Sequence, residues 1–196
     1  MGHNSERPSI VLASASPRRR ELLHQIGVDF RVVVADLEER PLAAEKPGDF
    51  VLRMAREKAL EVMQREGAEV PVLGADTAVI LDGRILGKPV SRSDAVVMLS
   101  ELSGKTHEVY SAVAVAVSKT EIHHTLNVTR VTFSILEPDW IESYCDTGDP
   151  MDKAGAYGVQ GKAAEKISRI EGSFYGVMGL PLFETAQLLK RAEVLF

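Results

Sequence analysis

Cysteine is almost missing: Cys145 is the only one in 196 residues. That excludes an internal disulfide and suits a reducing, cytoplasmic setting. Without Cys or His neighbours at metal-ligand spacing, Cys145 reads as a structural residue. Positive charge is not in excess either, with 23 cationic against 28 acidic residues and a net charge of −5. A general nucleic-acid-binding surface is therefore not expected. No run approaches the roughly 18 apolar residues of a membrane span. The polar opening from Met1 to Pro8, expected to be flexible, lacks the apolar centre of a signal peptide or anchor. Internal repeats and low-complexity tracts are absent as well. What is left is a chain of a size that one domain with a full core accommodates.

What is present begins with Leu12-Ala13-Ser14-Ala15-Ser16-Pro17-Arg18-Arg19-Arg20. Ile10 to Leu12 reads as a short strand, and Ser16-Pro17 as an N-cap followed by proline at the first helical position. Three arginines then fill the first helical turn, where unpaired N–H groups and the helix dipole are already positive. An anion arriving from outside would make sense of this placement, and the small residues Ala13, Ser14 and Ala15 would let it approach the backbone. The alternative is a solvated basic helix start.

Further along, Gly27 is suited to a helix C-cap, and residues 28–34 alternate as a half-buried strand. The acidic stretch 36–41 is either a solvated connection or a source of one carboxylate for a divalent cation. Pro47-Gly48-Asp49 opens a helix over about residues 50–65, with Val51, Met54, Ala55, Ala59 and Val62 on one face. Lys58 falls on that apolar stripe, where a lysine must snorkel or meet an anion. Residues 72–81 form the clearest central strand, and Asp76 in its middle is expensive to bury unless paired or used. Gly74 and Ala75 beside it leave room for a ligand. Asp82-Gly83 predicts a hairpin turn, with residues 84–86 pairing back and Gly87-Lys88-Pro89 ending it.

Ser93 is expected to cap a helix reaching about Leu102. Gly104-Lys105-Thr106 is not a Walker motif, because Leu99 stands where the first glycine is needed. Residues 106–117 and 122–135 alternate as a long antiparallel hairpin, with His107, His123 and His124 as ordinary strand residues. Pro138-Asp139 starts a short helix carrying Trp140, Ile141 and Tyr144. Glycines at 155, 158 and 161 make residues 149–161 a shaped loop without dinucleotide-fingerprint spacing. Gly179-Leu180-Pro181 leads into a last helix through Leu189, with Leu182, Ala186 and Leu189 as its apolar face.

Together with Ala55-Arg56-Glu57-Lys58-Ala59, Gly74-Ala75-Asp76-Thr77, Gly87-Lys88-Pro89, Leu102-Ser103-Gly104-Lys105-Thr106-His107, the loop from Asp152-Lys153-Ala154-Gly155 to Gln160-Gly161, and Gly179-Leu180-Pro181, the opening stretch resembles the Maf family. That family comprises nucleoside triphosphate pyrophosphatases named for inhibition of septum formation. The likeness runs from Ser9 to about Leu189, in the family's order. It implies an α/β fold similar to the inosine triphosphate pyrophosphatases: a long twisted mixed sheet, flanking helices and two lobes around a cleft. The activity implied is hydrolysis of the α–β phosphoanhydride, with a divalent cation, Mg²⁺ or Mn²⁺.

Residue by residue, the resemblance makes Asp76 the general base and, with Glu39, a metal ligand. Ser14, Arg18, Arg19, Lys58 and Lys88 fall at substrate-binding positions, as do Glu39, Thr77 and Gln160. Asp76-Thr77 and the loop from Asp152 to Gly161 resemble the dTTP/UTP branch. Modified pyrimidine nucleotides belong to the same expectation, as a house-cleaning activity. The alternatives are the 7-methyl-GTP branch and a non-catalytic nucleotide-binding regulator of septum formation. The charged run Lys162-Ala163-Ala164-Glu165-Lys166 departs from the family pattern without touching these residues. The expected partner is a nucleoside triphosphate, with neither nucleic acid nor membrane, and a homodimer is compatible with the resemblance.

Overall fold

The computed structural model describes residues 9–67 and 69–196, so the expectations for Met1 to Pro8 lie outside the described residues. A seven-stranded mixed sheet organises the chain. Strand β1 (Ile10–Leu12) leads into helix α1 (Pro17–Gln25), strand β2 (Phe30–Val32) and helix α2 (Pro47–Glu66). Strand β3 (Val72–Leu81) turns through Asp82-Gly83 into β4 (Arg84–Leu86), and α3 (Arg92–Leu102) follows. The long strands β5 (Thr106–Ala116) and β6 (Ile122–Phe133) form the expected hairpin. Helix α4 (Pro138–Asp146), three short 3-10 turns, strand β7 (Ile167–Glu171), the five-residue α5 (Phe174–Met178) and α6 (Leu182–Arg191) complete the chain.

Strand order is β2-β1-β3-β5-β6-β7, with β4 on the side of β3. β1 runs parallel to both its neighbours and every other pairing is antiparallel. One consequence decides where the site sits. On the β1 side, β3 is paired only as far as Leu12↔Leu73, with Ala13 N–H adding one bond to the Leu73 carbonyl at 2.8 Å. β4 takes up that same edge only from Val79↔Leu86 onward. Between them, residues 74–78 of the long, buried β3 have no strand beside them on that edge.

Helix α2 lies directly on β3. Gly74 makes this possible: a Cβ there would stand 2.3 Å from the Ala55 carbonyl oxygen and 2.7 Å from the Ala59 nitrogen. Phe50, Val51, Met54, Ala55, Ala59, Val62 and Met63 face the sheet and form one core with Val72, Ala78 and Ala112. A second core joins α1, α6 and the start of β3 through Leu22, Leu23, Leu73, Leu180 and Leu189. A third lies under α3 and α4, around Leu99, Leu102, Phe133 and Tyr144.

Several local expectations change. Ser16 stands at the N-cap of α1, but its side chain makes no capping bond; the Ser14 hydroxyl accepts from the Ser16 N–H at 3.2 Å instead. Ser91, not Ser93, caps α3: its Oγ accepts from the Asp94 N–H at 3.1 Å, while Asp94 accepts from the Val90 N–H at 2.9 Å. That reciprocal pair is a stronger stop than a lone serine. β2 is shorter than residues 28–34 because its one partner, β1, offers only three residues. The apolar face of α6 is Leu182, Thr185, Leu188 and Leu189, with Ala186 only half-buried. The charged run 162–166 closes into a 3-10 turn, burying Ala163 and pairing Lys166 with Glu137 at 2.6 Å.

Candidate active site

A cleft of about 720 Å³ opens at the uncovered edge of β3, and its walls include Ser14, Arg18, Arg19, Glu39, Lys58, Asp76, Thr77, Lys88 and Gln160. Every site residue expected from the sequence therefore lines one space. Asp76 and Thr77 are neighbours on a strand and so point to opposite faces. Because nothing covers that edge, both reach the cleft.

On the α2 face, Lys58 is the pivot. Its Nζ donates to Asp76 Oδ1 at 2.8 Å and pairs with Glu39 Oε1 at 2.8 Å. The Lys58 and Asp76 side chains are only 9% and 10% exposed, so the lysine does not snorkel. Burial pushes the Asp76 carboxyl above its ordinary range, and Glu39 adds to this; Lys58 and Arg19 oppose it. Two carboxylates thus converge on one ammonium from different elements, the 36–41 loop and β3. A hard divalent cation commonly takes one or two carboxylates and completes its shell with phosphate oxygens and water. Asp76 and Glu39 fit that requirement. Among the described residues, no group of three His, Cys, Asp or Glu gathers as an all-protein metal cage.

At the start of α1 the arginines divide. Arg19 turns inward, donating from Nε to the Gly179 carbonyl at 2.9 Å, from Nη1 to Ser14 Oγ at 3.1 Å and from Nη2 to Thr77 Oγ1 at 3.4 Å. Arg18 stays on the cleft wall with only a loose ion pair, 3.6 Å from the exposed Asp152. Arg20 points away and donates to the Ala15 carbonyl at 2.9 Å. Ser14 Oγ accepts from both Ser16 and Arg19, which leaves its own proton free for an incoming acceptor. Lys88 and, on the shaped loop, Gln160 are both exposed on the cleft wall.

That loop is locked from within. Lys153 Nζ donates to the Asp149 carbonyl at 2.6 Å, to Asp149 Oδ1 at 2.9 Å and to Asp152 Oδ1 at 2.6 Å. Asp149 also accepts from the buried Tyr144 hydroxyl at 2.7 Å. Although burial works the other way, the bonds from Lys153 and Tyr144 hold the Asp149 carboxyl below its usual range. Gly155 has φ +67, and a Cβ there would meet Val79 at 2.9 Å. Tyr157 pairs its hydroxyl with His107 Nε2 at 2.7 Å. His107 is therefore not an ordinary strand residue: it is 2% exposed, and burial pushes its imidazole down to about 4. His123 and His124 are surface strand residues as expected.

Sequence reading missed Lys153, Tyr144, Tyr157 and Ser111. Ser111 sits opposite Thr77 in the β3–β5 register, and its Oγ lies 2.8 Å from Thr77 Oγ1. Its only signal is a hydroxyl on the inward phase of an alternating strand, legible once the register is known.

The chain matches the family described as Maf-like protein over residues 9–192. It is 53% identical over 186 residues to a dTTP/UTP pyrophosphatase of Methylobacillus flagellatus, spanning 94% of this chain and 93% of that one. A protein of the same name from Vibrio parahaemolyticus is 48% identical over 182 residues, spanning 93% and 96%. Among solved structures, a HAM1 protein from Coxiella burnetii superposes with a TM-score of 0.51 at 14% identity, covering 94% of this chain and 100% of that one. At that identity the likeness is one of fold, and it agrees with the expected mixed sheet and flanking helices.

Proposed function

The chain belongs to the Maf family, and from that premise we propose that it hydrolyses nucleoside triphosphates, dTTP and UTP foremost, to the monophosphate and pyrophosphate. The observation that carries this reading is the buried Lys58 bridging Asp76 and Glu39 at the uncovered edge of β3. A structural ion pair would have no reason to lie on the wall of a cleft that also carries the exposed Lys88 and a serine with an unused proton.

The triphosphate is held by the Ser14 hydroxyl, by Lys88 and by Arg18, which exchanges its loose contact with Asp152 for a phosphate oxygen. Arg19 braces Ser14 and, with three of its five N–H donors on internal acceptors, acts on the substrate as a fixed positive charge that keeps two donors to offer. Asp76 accepts the proton of a water that attacks the α-phosphorus. The bond from that phosphorus to the bridging oxygen breaks, and pyrophosphate leaves with the electron pair. A carboxylate raised by burial is a better base than an exposed one. A divalent cation, Mg²⁺ or Mn²⁺, held by Asp76 and Glu39 together with phosphate oxygens, would supply charge neutralisation at the reacting phosphates. Lys58, paired with both carboxylates, holds them together and oriented, and most of the rate comes from charge and positioning.

The cleft also has apolar lining, Val79, Val109, Val159 and Met178, and Thr77 and Gln160 are among its polar groups. A base fits there, and the amide of Gln160 can meet a carbonyl or an N–H. The short Thr77 side chain, already engaged with Arg19 and Ser111, favours a pyrimidine over the 7-methyl-GTP alternative. Names of the relatives support the same preference. Cytoplasmic residence belongs to this reading, supported by the lone, buried, unpaired Cys145; among the described residues no helix is long and apolar enough to cross a membrane. The test is product identification: purified protein with dTTP and Mg²⁺ should give dTMP and pyrophosphate. Formation of dTDP and orthophosphate, or binding without turnover, would overturn the proposal, the latter in favour of a regulator.

A further inference from the structure

Beneath the base end of the cleft a chain of hydroxyl groups has only one consistent direction. Ser111 Oγ lies 2.7 Å from the Gly176 carbonyl, which can only accept, so Ser111 donates its single proton there. Ser111 Oγ is also 2.8 Å from Thr77 Oγ1, and with its own proton committed it can only accept from Thr77. Thr77 in turn accepts from Arg19 Nη2 at 3.4 Å. The one competing acceptor for the Thr77 proton is the Gly179 carbonyl, which is 3.4 Å away and already receives Arg19 Nε at 2.9 Å. Of a 2.8 Å and a 3.4 Å contact, the shorter holds the proton. Ser111 is fully buried, so no water competes for either of its bonds.

Building on the pyrophosphatase reading, we infer that Ser111 is a positioning residue for base selection. By taking the Thr77 proton, it leaves the Thr77 oxygen with a lone pair and no hydrogen to offer the base. An acceptor-only group suits a pyrimidine that carries N–H at position 3, as uracil and thymine do. It rejects cytosine, whose position 3 is a bare acceptor, because two lone pairs would then face each other. The far end of the relay is the Gly176 carbonyl in α5, which also accepts from the Gly179 N–H at 3.0 Å. The polarity of one hydroxyl in the cleft is therefore set by a backbone group behind it, and the hydrogen bonds along such a chain reinforce one another.

The experiment compares kcat/KM for UTP and CTP, with Mg²⁺ present, in the wild type, Ser111→Ala, Ser111→Thr and Thr77→Val. Ser111→Ala removes the acceptor and leaves the Thr77 proton only the long 3.4 Å contact with the Gly179 carbonyl, already taken by Arg19, so it can turn to a stronger acceptor on the base. The UTP-over-CTP ratio should then fall by about tenfold, mainly through faster CTP turnover and a lower KM for CTP. Ser111→Thr keeps the hydroxyl and should keep the ratio. Thr77→Val removes the relay's cleft end and should also lose the preference, and adding Ser111→Ala to it should change the ratio no further. A ratio unchanged in Ser111→Ala, or UTP and CTP rates falling together, would overturn the inference, since a merely structural serine affects both substrates alike. Should Ser111→Ala fail to fold, a preference kept in Thr77→Val would overturn it equally. If the wild type releases no pyrophosphate from UTP, it is the pyrophosphatase reading that fails.

Discussion

Lys58 and Asp76 are two charges held almost out of water, and their pairing sets what substitution at each will do. Taking one partner from a buried pair leaves the other uncompensated, at a cost of about 3–5 kcal/mol. Lys58→Ala is therefore expected to lower thermal stability as well as nucleotide affinity. Arg18→Ala breaks only a loose contact with the exposed Asp152, so it should leave the melting temperature within a degree or two while abolishing most of the nucleotide-induced rise. An Arg18→Ala variant with the full ligand-induced shift would place the anion site elsewhere. Asp76→Asn keeps an acceptor for Lys58 and should fold and bind nucleotide. Its turnover should drop ~100- to 10,000-fold, the usual cost of losing a general base. Near-normal kcat in that variant would remove Asp76 from the chemistry. At this scale the sequence was informative because both residues break a local rule. A lysine on the apolar stripe of α2 and an aspartate inside the apolar β3 are visible without coordinates; that they face each other at 2.8 Å is not.

Among the elements, β3 and α2 form the platform, and Gly74 sets their spacing. Gly74→Ala would drive a methyl group into the backbone of α2 at Ala55 and Ala59. The helix must then shift, carrying Lys58 with it, so activity should fall along with stability, by at least the ~1–3 kcal/mol typical of overpacking. A Gly74→Ala variant with wild-type melting temperature and turnover would show that the close approach is unimportant. Elements with a sustained period were legible in the sequence: α2 from its 3.6-residue stripe, and β3, β5 and β6 from alternation or continuous apolar character. β7 and α5 were not. β7 reads Ile-Ser-Arg-Ile-Glu and is mostly exposed, and α5 has five residues, too few for a period. Their positions come from tertiary partners, β7 from pairing with β6 and α5 from the bond Ser111 makes to Gly176. The cap of α3 is ambiguous in sequence because two serines two residues apart compete, and only Ser91 has an aspartate three residues on.

Taken whole, the molecule places its cleft where the three cores meet: Val159 and Met178 come from the core of α1 and α6, Val79, Val109 and Tyr157 from the one under α3 and α4, and Ala13 from the one between α2 and the sheet. The loop that carries Gln160 is anchored in the core under α3 and α4 through Tyr157, whose hydroxyl meets His107, so stability of the fold and shape of the site are linked. His107 is neutral when folded, with its imidazole pushed down to about 4 by burial, against 6.5 when unfolded. Above pH 6.5 it contributes nothing to pH dependence. As the pH falls from 6.5 towards 4, the unfolded chain binds a proton that the folded one refuses. Stability is then lost at up to about 1.4 kcal/mol per pH unit from this group. Urea midpoints of the wild type should fall more steeply over that window than those of His107→Gln, whereas parallel curves would contradict the burial argument. Whether the cleft works as one device for pyrimidine triphosphates is decided by kcat/KM for pyrophosphate release from dTTP, UTP, CTP, GTP and 7-methyl-GTP under one metal condition. dTTP and UTP should run well ahead of the rest, and a preference for 7-methyl-GTP would contradict a pyrimidine site.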